Sequence, residues 1–101
     1  MNKSLILTLV CSPELDEKLL DQLLIICPSA VFTSQEVASH GLAHQLFNPA
    51  ELVMGRSKSV QVQILLTARE LEELMIILRD EFNDVGLRYW IIPIADSGEI
   101  K

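Results

Sequence analysis

Two periodicities alternate along this chain, and their order leaves few folds open to it. From Ser59 to Leu66, Val60, Val62 and Ile64 alternate with Gln61 and Gln63, the period-two pattern of a strand with one buried face. Thr67-Ala-Arg-Glu follows at once. Its spacing predicts a capping box, with the Thr67 hydroxyl accepting from the Glu70 N–H and the Glu70 carboxylate reaching back. The helix so opened carries Leu71, Leu74, Met75, Leu78 and Phe82 on one face, and Glu72, Glu73, Arg79 and Asp80 on the other. The same switch occurs earlier. Ser4–Cys11 reads as a strand with Leu5, Leu7, Leu9 and Cys11 opposite Ile6, Thr8 and Val10. Ser12-Pro13 then supplies an N-cap and a first-turn proline. Leu15, Leu19, Leu20, Leu23 and Leu24 form the stripe of the helix that follows, and Pro28 ends it.

Two further strands complete the pattern. Ser29–Val37 is centred on Val31, Phe32 and Thr33; Leu87–Ala95 follows a turn signal at Asn83–Gly86, with Pro93 confining its outer half to an edge or bulge. The order is βαββαβ, an α+β ferredoxin-like arrangement in which two helices cover one face of a four-stranded antiparallel sheet. With 101 residues, half of them hydrophobic, the chain is expected to be a single domain built on Leu, Ile and Val.

The formal charge is −6, from 14 acidic against 8 basic residues, which disfavours nucleic acid as a partner. An RNA-binding sheet would also need aromatics on its central strands, and LILTLVC and SVQVQILL have none. Lys3 precedes an apolar run, Leu5 to Val10 with Thr8 inside, that is shorter than a secretion-signal core of ~7–15 residues, and Val10 is bulky for the position before a processing site at Cys11. No segment approaches the ~20 apolar residues of a membrane span. A cytoplasmic protein with two reduced cysteines is the expectation.

Helices on one side leave the other side of the sheet to be explained. Ile6, Thr8 and Val10, together with Trp90, Ile92 and Ile94 or with Leu87, Tyr89 and Ile91, make that second face apolar. Such a face marks an interface between subunits, unless the C-terminal tail folds over it. The second irregularity is the stretch from about Ala38 to Lys58, which lacks either periodicity and holds both histidines, His40 and His44, with Arg56 and Lys58. Four such positive or titratable groups against Glu51 suit an anionic ligand or an acidic partner surface; solvated loop charges are the plainer alternative. His40 and His44, four residues apart, supply half of a divalent-metal site and need a third ligand from elsewhere. Leu46, Phe47, Leu52, Val53 and Met54 either pack beneath this loop or anchor a partner. No nucleophile–base pair or phosphate-binding glycine loop is present, so no enzymatic activity is expected.

The element order, the strand-to-helix junction CSPELDEKLLDQLL and the long excursion between the second and third strands resemble the PII and CutA-like superfamily. Within it, YWIIPIADSGEI resembles the end of a small proteobacterial family of unknown function associated with heavy-metal efflux systems. The resemblance covers nearly the whole chain. It implies a homotrimer with sheets packed inward, a small effector or divalent metal ion at subunit clefts, and a T-loop at about 38–58 that contacts a partner such as a membrane transporter. A CutA-like role in metal tolerance is the alternative it offers. Arg88 is the cleft candidate, standing where nucleotide-binding relatives have a glycine-rich, lysine-bearing turn. NDVGLRYW keeps only Gly86 of that pattern, so nucleotide-binding residues are not carried over.

Overall fold

The computed structural model describes residues 3–40 and 57–101. Within the described residues, four strands and two helices follow in the order expected: β1 (Leu5–Cys11), α1 (Pro13–Ile26), β2 (Phe32–Ser39), β3 (Ser57–Leu66), α2 (Ala68–Glu81) and β4 (Arg88–Pro93). The sheet is antiparallel throughout, in the order β2-β3-β1-β4. The two helices lie on one side of it. Leu7, Leu9 and Cys11 of β1 and Val60, Val62, Ile64 and Leu66 of β3 form one buried cluster with Leu19 and Leu23 of α1 and with Leu74, Met75, Leu78 and Phe82.

The boundaries have local causes. α2 begins with the full capping box: Glu70 N–H donates to Thr67 Oγ1 at 3.2 Å, and Thr67 N–H donates to Glu70 Oε1 at 2.9 Å. Lys3 Nζ donates to the same carboxylate oxygen, so the start of the chain is tied to the helix N-terminus. At α1 the N-cap is Ser12, followed by Pro13, as the sequence indicates, but its hydroxyl makes no capping bond. The side chain bonds the Glu14 carboxylate instead and holds that acid below its ordinary range. α1 ends at Cys27, whose N–H donates to Leu23 O at 2.8 Å. The turn after α2 places Asp84 and Gly86 in the left-handed region, at φ 58° and 82°; glycine enters that region without steric cost. Lys18 of α1 lies 5.0 Å over the ring of Phe82, just past the end of α2, a contact that joins the two helical segments.

Two expectations are corrected here. The stretch set at 38–58 is shorter at both ends, because β2 runs to Ser39 and β3 starts at Ser57, with Ala38 paired to Lys58 and Ser39 to Ser57. Ala38 and Lys58 are exposed there, so the sequence shows no apolar alternation at this end of the ladder. The stripe on α1 also loses Leu24, which is 57% exposed.

Candidate functional site

Register decides what shares the uncovered face. Alternation from the core-facing residues puts Thr33, Gln35, Val37 and Ser39 of β2 on it, with Ser59, Gln61, Gln63 and Leu65 of β3. Ile6, Thr8 and Val10 of β1 and Arg88, Trp90 and Ile92 of β4 complete it. Of the two β4 sets, therefore, Trp90 and Ile92 are the ones turned from the helices, while Tyr89 and Ile91 share the helix side.

The face is graded rather than uniformly apolar, which corrects the sequence expectation. At one end an aliphatic row runs across the sheet: Val31, just before β2, whose carbonyl accepts from Leu65 N–H at 3.1 Å, then Leu65, Ile6 and Ile92. The next row, Thr33, Gln63, Thr8 and Trp90, is polar except at its last member. Gln63 Nε2 donates to Thr8 Oγ1 at 3.4 Å, with Thr8 fully buried. Gln35, Gln61, Val10 and Arg88 follow. Beyond them Ser39 Oγ bonds Ser59 Oγ at 2.6 Å.

The C-terminal tail does not cover this surface. Ile94 N–H donates to Ser4 O at 3.0 Å and Ser97 Oγ donates to Lys3 O at 2.9 Å, so the tail runs beside the start of β1. Trp90 and Ile92 stay 46% and 40% exposed, and Val31 64%.

At the polar end, Val10, Val37, Gln61, Arg88, Trp90 and His40 line an open concavity of about 460 Å³. Arg88 and Trp90 are adjacent same-side positions on β4, and Val10 pairs with both Arg88 and Gln61, so the sheet itself sets three of its walls. His40, immediately after β2, forms the rim. No carboxylate lines the concavity among the described residues, in a chain where acids outnumber bases by 14 to 8. A second groove of about 310 Å³ lies on the helix side, where Arg79 Nη2 donates to Tyr89 OH at 3.4 Å above Leu78, Phe82 and Leu87.

The candidate residues are thus divided. His40 and Arg88, far apart in sequence, meet in one concavity. Lys58 is an exposed ladder residue of β3 opposite Ala38. His44 and Arg56 lie outside the described residues, as do Leu46, Phe47, Leu52, Val53, Met54 and Glu51. Among the described residues no group of three or more His, Cys, Asp or Glu is gathered as for a metal ion. No described helix is long and apolar enough to cross a membrane. Sequence reading passed over Trp90, Gln61 and Val37 as binding groups. The signal available for Trp90 was its place two residues from Arg88; Gln61 and Val37 are brought in by strand register alone.

The family DUF3240, proteins of unknown function, matches residues 1–101. No curated protein matches the chain. Among solved structures, a DUF3240 family protein from Shewanella baltica OS155 is similar with a TM-score of 0.77 and 19% identity, covering 100% of both chains. CutA1 from Pyrococcus horikoshii is similar with a TM-score of 0.70 and 17% identity, covering 94% of this chain and 87% of that one. The fold is therefore the one CutA1 has, as the resemblance implied.

Proposed function

The chain belongs to the DUF3240 family, and from the geometry of its sheet we propose that it is a homotrimeric regulatory protein rather than an enzyme. It binds a small effector in the concavity at the base of the 40–56 connection, and contacts a second protein through that connection. The observation that carries this reading is the aliphatic row Val31, Leu65, Ile6 and Ile92 on the face the helices leave open. Burying such a row against other copies removes apolar surface from water at ~25 cal/mol per Å². The grading of the face divides the work: the aliphatic end packs inward between subunits, and the polar end stays accessible at their cleft. Three subunits is the assembly that the PII and CutA resemblance implies, and a transporter is its implied partner class.

A metal-handling role has weaker support. His40 is the only member of the histidine pair among the described residues, and it shares the concavity with the Arg88 guanidinium, which repels a divalent cation. Sedimentation equilibrium at micromolar concentration tests the assembly; three times the 11.3 kDa chain mass is expected. A well-folded monomer overturns it. Replacing residues 41–56 with a short glycine-serine linker tests the arm. The trimer should persist while copurification with a membrane transporter is lost.

A further inference from the structure

We infer that the concavity on the open sheet face is a site for a small aromatic carboxylate, with Arg88 holding the acid group and Trp90 stacking on the ring. This names the effector class of the site proposed above and rests on that reading for its biological role.

Arg88 is exposed, and among the described residues no carboxylate is paired with it. Guanidinium offers a planar fork that matches a carboxylate bidentately. Trp90, two positions along the same strand and on the same side, is half-exposed. A half-exposed indole offers aromatic surface on which a flat ligand can stack. Val10 and Val37 give an apolar floor, and Gln61 offers both a donor and an acceptor to a ring substituent. About 460 Å³ is within the range of small-molecule sites, which are largely apolar with a few polar groups that fix orientation.

Among the described residues the lining carries one guanidinium, with His40 at the rim, which suits a single acid group. Arg88 is the only Lys or Arg lining the concavity among the described residues. Lys58 sits at a position of β3 with the parity of Val60 and Val62, the helix-side set. A phosphate ester carries about −1.5 to −2 near neutral pH, more than one guanidinium balances.

Trp90 is the only tryptophan, so its fluorescence reports on this site directly. The full chain is titrated with benzoate and nicotinate, with benzamide as neutral isostere and inorganic phosphate as bare anion, and calorimetry run in parallel. Saturable signals are expected for the two carboxylates, with benzamide at least about tenfold weaker, a difference of about 1.4 kcal/mol. Arg88→Gln should abolish carboxylate binding, Arg88→Lys should weaken it by keeping the charge without the fork, and Trp90→Phe should leave a weaker calorimetric signal. Benzamide binding as tightly as benzoate reduces the site to an apolar crevice and overturns the inference. Phosphate binding more tightly than either carboxylate overturns it too, as does no saturation up to about 10 mM. Sedimentation of the same samples separates the two readings. A trimer that ignores all four compounds removes the ligand and spares the assembly; a monomer that binds benzoate does the reverse.

Discussion

Leu23 and Leu24 are neighbours in α1 with opposite environments: Leu23 is fully buried against the sheet, and Leu24 is 57% exposed. One step of 100° around the helix takes the side chain from the core to its margin. Leu23→Ala should cost about 2–5 kcal/mol, since it removes buried methyl groups and leaves a cavity. Leu24→Ala should stay within about 0.5 kcal/mol. Urea unfolding of both variants at one protein concentration checks this, and comparable losses would contradict the packing described.

The Glu70 carboxylate accepts from both Lys3 Nζ and Thr67 N–H. The Lys3 bond first, then the backbone bond, holds it below the usual glutamate range. A carboxyl depressed in the folded state stabilises fully above its unfolded value, and that contribution is lost as pH falls through the folded value. Glu70→Gln should therefore destabilise at neutral pH and approach wild type in acid. Thr67→Ala removes the other half of the box and should cost about 1 kcal/mol, or about 4–8 °C in Tm for a domain of this size. Thermal melts across pH read both; a penalty for Glu70→Gln that persists unchanged in acid contradicts the ion pair.

These contrasts also show what a sequence can and cannot carry. Helix starts are local, so Thr67-Ala-Arg-Glu and Ser12-Pro13 located both N-termini, and Asn83–Gly86 located the turn. Adjacent leucines differ by a rotation that depends on how the helix lies on the sheet, so periodicity alone puts Leu24 in a stripe that it does not join. The ends of β2 and β3 are not legible because Ala38 and Lys58, which pair there, are both exposed and leave no apolar alternation. Most of all, the character of the open face depends on register. Val31, Leu65, Ile6 and Ile92 come from four separate segments, and nothing within any one segment says that they align. The same holds for His40 and Arg88, distant in sequence and brought together only by the ends of β2 and β4.

The cysteines should differ in reactivity. Burial first, then the nearby Asp16 and Glu14 charges, raises the Cys11 thiol to about 11. Cys27 is raised in the same direction, mainly by burial, but is partly accessible at the end of α1. Thiolate is the reactive form, so iodoacetamide at mildly alkaline pH should modify Cys27 first and leave Cys11 intact until unfolding. Peptide mass spectrometry over time follows both sites. Equal rates in the native protein would mean that Cys11 is not sealed beneath the helix layer.

The aliphatic row gives the most direct handle on assembly. Ile92 is on the edge strand β4 and 40% exposed in the single chain, so a charge there costs the isolated domain little. Buried between copies, the same charge is costly without a partner. Ile92→Lys should thus leave far-UV circular dichroism unchanged at high concentration and shift sedimentation towards the single chain. Gln63→Lys, one row along and two strands in, alters the polar row on the same face and should weaken association less. Association that is indifferent to Ile92→Lys would place the contact elsewhere on the molecule, because no arrangement that buries the row between subunits tolerates an unpaired ammonium at its end.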